Sequence, residues 1–210
     1  MTDRNMAPIF VSPGDRQIVV FGGGKVALRK IGHFKGFRIK VVSKEVLPEV
    51  RDAADEVIIT DISENSIKEN IEGAFIAVAA TSDKAINAMI RDTAMAEGIM
   101  ANSAHGGGDV LIPSVLNKRN FTVTVSTGGT VPAFPPYVVR KIDGLLDDSY
   151  DLMMDMLIEL RPVIKEKVKT QPERAKLLAD ILDNQSIWNM LSSGKTEEAI
   201  KEAKRMGDLE

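Results

Sequence analysis

The first hundred residues alternate short β-branched apolar runs with stretches of helical spacing or polar turns. Gln17 to Phe21 (QIVVF) is apolar almost throughout, as a strand buried on both faces should be, and it ends on Gly22, Gly23 and Gly24. Lys25 to Lys35 then places Val26, Ala27, Ile31 and Phe34 near helical spacing, and Gly36 supplies a stop. Arg38 to Val42, Val57 to Thr60 and Ala74 to Ala80 read as three further strands. Asp83 to Glu97 turns helical again, with Ile86, Met89, Ile90 and Ala94 on one face and Gly98 closing it, before a fifth strand at Ile99 to Ala101. This order predicts an α/β fold, a parallel sheet with helices on both faces, over about the first 105 residues.

The pattern then changes. Val110 to Ile112 and Phe121 to Val125 are predicted strands around a polar turn at Asn117 to Asn120, which suggests a hairpin. From Tyr137 onward the spacing is helical, punctuated by Gly144, Pro162, Pro172 and Gly194. The chain is therefore divided into an α/β domain at 1–110, a strand-rich dimerisation segment at 111–144 and a helical C-terminal domain at 145–210.

Chemistry enters at the first glycine turn. Gly22-Gly23-Gly24-Lys25-Val26-Ala27 fits G-x-G-x-x-A between a predicted strand and a predicted helix, the context of a Rossmann dinucleotide site. Gly22 permits the tight turn, Gly24 lets a pyrophosphate approach the backbone, and Ala27 keeps helix and strand close, with the helix N-terminus facing the negative charge. The acid expected about 20 residues later, for the ribose hydroxyls, falls near the end of the second strand. Ser43, Lys44 and Glu45 stand there. Glu45 could hold the ribose, or Ser43 could do so while Lys44 accepts a 2′-phosphate, so these residues leave NAD and NADP both open.

Composition narrows the partners. A net charge of -3, with 27 Lys and Arg spread along 210 residues, provides no basic field for nucleic acid. Zero cysteines excludes disulfides and thiolate chemistry. The opening MTDRNMAPIF has no charged segment followed by an apolar one, and no run approaches the ~18 apolar residues of a membrane span. A cytoplasmic protein without signal peptide or membrane partner is expected.

Four segments together resemble the dehydrogenase/ferrochelatase module of the siroheme synthase family, which also occurs alone in precorrin-2 dehydrogenases. They are Pro8-Ile9-Phe10, Val19 to Lys30 (VVFGGGKVALRK), Ala79 to Asn87 (AATSDKAIN) and Ile112 to Pro132 (IPSVLNKRNFTVTVSTGGTVP). The resemblance runs in order over about residues 7 to 145, whereas the last 65 match only in being helical. It implies NAD-dependent oxidation of precorrin-2 to sirohydrochlorin, with ferrous iron as a further substrate in members that also chelate. It places cofactor contacts on Gly22, Gly24, Lys25, Val26, Lys44, Glu45 and Thr81, and the strand-rich segment is expected to mediate a homodimer.

The catalytic position departs from the family pattern. Bifunctional members carry an aspartate after the Asn-x-x of the fifth strand, where Asn102-Ser103-Ala104 is here followed by His105. The subsequent loop, Gly106 to Asp109, is shorter than usual. His105 could take the proton, since imidazole titrates near neutrality. Asp109 could reach the site if the glycines fold the loop back. Chelation, which must remove two pyrrole protons, is the activity most endangered by the missing aspartate.

Plainer roles compete for several of these residues. His105 could be a solvated loop residue, and His33, in the first predicted helix, is a surface or packing residue. Ser126, Thr127 and Gly128, within Ser126 to Thr130, could bind a substrate carboxylate or form a simple turn. Lys118, Arg119, Arg140 and Lys141 are candidates to face the carboxylates of the tetrapyrrole. Met153, Met154, Met156, Leu157 and Leu160 read as core or dimer seam, and the tail helix at Glu197 to Lys204 has no assigned role. Two other functions compete: a regulatory domain that senses NAD without chemistry, and a tetrapyrrole carrier or chelatase without a redox step. The sensor explains the glycine motif but not the VSTGGTVP and AATSD elements.

Overall fold

The computed structural model describes residues 6–209. The segment Met1 to Asn5, on which the reading of the N-terminus partly rests, lies outside them. The chain divides into two compact units. One comprises the residues to Ile112 with Gly128–Thr130, and the other Pro113–Thr127 with the residues from Val131 onward.

The first unit is built on five parallel strands: β1 (Gln17–Phe21), β2 (Arg38–Ser43), β3 (Glu56–Ile59), β4 (Ile76–Ala79) and β5 (Met100–Ser103). Their spatial order is β3-β2-β1-β4-β5, with Val20 opposite both Val41 and Val78. Period-two alternation sends side chains to opposite faces. Ile18, Val20, Ile39, Val41, Ile76 and Val78 pack with Ala27 and Ile31 of helix α1 (Lys25–Ile31). Val19, Phe21, Val42, Ala77, Ala79 and Ala101 pack instead with Ile67 and Ile71 of α3 (Glu64–Ile71) and with Ile90 and Ala94 of α4 (Lys84–Ala96). With helices on both faces and order 3-2-1-4-5, the switch point lies between β1 and β4, where such sheets bind ligands.

Several boundaries differ from the sequence-based expectation. The first helix stops at Ile31 rather than Lys35. The chain turns from Gly32 so that Phe34 enters the core, edge-on to Phe37 at 5.9 Å, and Phe37 stacks on Phe75 at 6.3 Å. Gly36, at φ +83°, makes the turn into β2. Two short helices were not anticipated: α2 (Pro48–Asp52) and α3. Val110 to Ile112 is not a strand, because it packs as irregular chain against the α1 face of the sheet while the Val110 N–H donates to the Ala101 carbonyl at 3.1 Å.

In the second unit, β6 (Ser114–Asn117) and β7 (Thr122–Val125) form an antiparallel hairpin. Helix α5 (Phe134–Asp143) packs on it, and Asp143 pairs with Lys118 at 2.9 Å. Four helices follow: α6 (Asp148–Lys167), α7 (Gln171–Leu182), α8 (Gln185–Ser192) and α9 (Thr196–Met206). Their core includes Met153, Met156, Leu160, Ile164, Ile181, Ile187 and Leu191, with Leu157 partly buried against it, so these members of the apolar run are interior to this unit. Pro162 does not break α6 as expected. It stands on the solvent side, where the Ile158 carbonyl that loses its partner belongs to an exposed residue. Among the described residues, no helix is long and apolar enough to cross a membrane.

Candidate dinucleotide site

The three glycines after β1 stand in three different environments. Gly22 sits at φ +121°, and a methyl group there would lie 2.6 Å from the Ala80 carbonyl oxygen at the end of β4. A methyl on Gly23 would collide with the Glu45 carbonyl and come within 2.7 Å of Val46 Cα, because the chain leaving β2 folds over the loop. The Leu47 N–H donates to the Gly23 carbonyl at 2.9 Å and fixes that approach. At Gly24 the reverse holds: nothing lies within 4 Å of the Cβ position.

Gly24 is therefore the one glycine of the three whose bare Cα faces open space, and it is the N-cap of α1 without a side-chain cap. Lys25 and Val26 follow it, both exposed, on a first turn whose N–H groups have no partner inside the helix. Ala27 is fully buried against the sheet. A cofactor pyrophosphate fits this geometry, with backbone accessible at Gly24 and backbone excluded at Gly22 and Gly23.

On the β2 side, Ser43 is buried, and its carbonyl accepts from the Thr60 N–H. Lys44 forms an ion pair with Asp61, and both side chains are exposed. Glu45 is exposed beside the glycine turn.

On the β4 side, Thr81 meets a residue that sequence reasoning passed over. Asn87 of α4 is completely buried and uses every polar atom of its side chain. Its Oδ1 accepts from the Thr81 N–H at 3.0 Å and from the Thr81 hydroxyl at 2.8 Å. Its Nδ2 donates to the Thr81 carbonyl at 2.9 Å and lies 2.7 Å from Nδ1 of His105. Asn87 falls in register with Ile90 and Ala94 on the buried stripe of α4, and a polar residue on such a stripe was the available signal.

His105 follows β5 directly, where the Ala104 N–H donates to the Ala79 carbonyl at 2.9 Å. Gly106, Gly107 and Gly108 all take positive φ and turn the chain back, and a methyl on Gly108 would collide with the Ala101 carbonyl. Asp109, exposed, ends this turn. Asn102, next to the loop on β5, donates through Nδ2 to the Val110 carbonyl at 2.8 Å and accepts from Lys30 Nζ at 2.5 Å. Burial, with a smaller contribution from Arg29, lowers the Lys30 pKa to about 8. His33 lies exposed just beyond α1.

The remaining candidates are distributed over both units. Ser126 and Thr127 belong to the second and Gly128 to the first, and the Thr127 hydroxyl bonds to both the amide and the carbonyl of Val131 at 3.3 Å. Lys118 is committed to Asp143 and to the Leu146 carbonyl, and the Arg119 guanidinium to Asp155, while the Arg119 backbone N–H donates to Asp151. Arg140 and Lys141 stay exposed, the latter 5.7 Å from the Tyr137 ring centroid.

A family model for NAD(P)-binding domains matches residues 9–114, half of the chain. A precorrin-2 dehydrogenase of Methanosarcina barkeri is 31% identical over 196 residues, covering 90% of this chain and 88% of that protein. The chain belongs to the precorrin-2 dehydrogenase and siroheme synthase family. Within that family, the siroheme synthase of Nitrosococcus oceani is 26% identical over 91% of this chain, which spans only 42% of that longer protein. The solved structure of SirC, a precorrin-2 dehydrogenase, shares the fold with a TM-score of 0.74 at 24% identity, covering 95% of this chain and all of the other. The glycine turn, the β1/β4 switch point and the Thr81 corner all lie inside the NAD(P)-binding match.

Proposed function

We propose that this protein is an NAD-dependent precorrin-2 dehydrogenase, converting precorrin-2 to sirohydrochlorin. The observation that carries the reading is the open backbone at Gly24, set at the β1/β4 switch point of a chain similar over nearly its whole length to a protein of that name. In the reaction the substrate loses a hydride and a proton, and NAD supplies the two-electron acceptor for the hydride. The protein's work is placement and proton removal. Gly24, Lys25 and Val26 would hold the pyrophosphate, with Gly22 making the turn that presents them, Ser43, Lys44 and Glu45 would flank the ribose, and Thr81 would support the far end of the cofactor.

His105 and Asp109, on the loop after β5, are the candidates for taking the proton. Ser126, Thr127 and Gly128 are candidates for a substrate carboxylate. NAD is favoured over NADP because Lys44, the cation available for a 2′-phosphate, already faces Asp61. Dehydrogenation without iron insertion is the activity proposed, since His105 stands where bifunctional members carry an aspartate. The hairpin segment is assigned to homodimer formation and the reaction to the cytoplasm. Anaerobic turnover of precorrin-2 with and without NAD tests the reading.

A further inference from the structure

Asn87 determines which nitrogen of His105 carries the proton. An asparagine amide could in principle be turned end for end, but the backbone of Thr81 forbids that here. Its N–H is a fixed donor 3.0 Å from one end of the amide, and its carbonyl is a fixed acceptor 2.9 Å from the other. Exchanging the ends would set donor against donor and acceptor against acceptor at a site with no exposure. The end that meets His105 is therefore the NH2, and the imidazole Nδ1 at 2.7 Å must accept. A neutral imidazole that accepts at Nδ1 carries its hydrogen on Nε2.

We propose that Asn87 is a positioning residue that holds His105 as a hydrogen-bond donor through Nε2–H, directed at a carboxylate of the tetrapyrrole. In this arrangement neutral His105 has no free lone pair for the proton released in dehydrogenation, which leaves Asp109 as the base on that loop. The backbone supports the arrangement: the Ala104 N–H donates to the Ala79 carbonyl, and the His105 N–H to the Ser103 hydroxyl at 3.3 Å, so the chain that carries the ring is anchored from β4 and β5 together. Thr81 and His105 are bonded to the same amide, which joins the cofactor corner to the substrate-facing ring. The assignment to a substrate carboxylate rests on the dehydrogenase reading. The assignment of the tautomer does not.

Two-bond nitrogen–proton NMR spectra of the 15N-labelled protein test the tautomer, and with only two histidines a His33→Gln variant assigns both rings. At a pH where the imidazole is neutral, His105 should show hydrogen on Nε2 and none on Nδ1, and Asn87→Asp should move it to Nδ1. Hydrogen on Nδ1 in the wild type, or a mixture of tautomers, overturns the proposal whether or not the protein oxidises precorrin-2. Kinetics test the role. In His105→Ala most of the loss should appear as a rise in KM of about tenfold, and His105→Gln, whose amide NH2 restores a donor, should recover most of it. A loss confined to kcat and equal in both variants makes His105 a proton acceptor and overturns the donor role.

Discussion

Lys30 on α1 and Asn102 on β5 are joined by a 2.5 Å hydrogen bond across 72 residues of sequence, and Asn102 passes the connection to the Val110 carbonyl. Lys30 thereby ties the first helix to the end of the loop that carries His105. Burial of its ammonium group, with the nearby Arg29 charge adding to it, disfavours the charged form, and the pKa falls to about 8.

That shift has a definite sign. Between about pH 8 and 10.5 the unfolded chain keeps the Lys30 proton and the folded one gives it up, so stability rises with pH through this window. Urea unfolding at about pH 7.5 and about pH 10 should show this rise in the wild type more strongly than in Lys30→Met, in which the titrating group is gone. Equal pH dependence in the two proteins would place the Lys30 pKa near its ordinary value.

Gly23 and Gly24 should separate structure from binding. Gly23→Ala sets a methyl against the backbone of Glu45 and Val46, so we expect a loss of at least about 2 kcal/mol in chemical unfolding. Gly24→Ala has open space around its methyl, so its melting temperature should stay within about 2 °C of the wild type while NAD affinity, measured by calorimetry, falls tenfold or more. A Gly24→Ala protein that binds NAD normally would move the pyrophosphate away from this turn.

Asp61 should act on cofactor choice. As an exposed pair, Lys44 and Asp61 contribute at most about 1 kcal/mol to stability, so Asp61→Ala should fold normally. With Lys44 released, NADP affinity should rise about three- to tenfold while NAD affinity changes less. An unchanged ratio would remove Lys44 from the neighbourhood of the ribose.

The parts of this structure that were legible in the sequence were those written as local pattern. The β1 run QIVVF, the three glycines and the apolar stripe of α4 each announce themselves within a dozen residues. Helix α2 did not, because five residues with Val50 alone buried carry no periodicity. Nor did α3, whose capping box pairs Ser63 with Ser66 in place of the usual Glu or Gln. Val110 to Ile112 has the composition of a strand and was misread, since only the tertiary fold shows that the Asn102 side chain and the Ala101 carbonyl take its backbone groups. The same limit hid Asn87: its place in the buried stripe was visible, but its convergence with Thr81 and His105 depends on three separate segments meeting.

The central claim is tested most directly by mixing the purified protein anaerobically with precorrin-2, with and without NAD, and following the visible spectrum together with NADH formation. The account predicts a sirohydrochlorin spectrum that requires NAD, with one NADH formed for each precorrin-2 consumed. Tight binding of NAD with no change in the tetrapyrrole spectrum and no NADH would contradict it, and would make this Rossmann unit a sensor or carrier rather than a dehydrogenase.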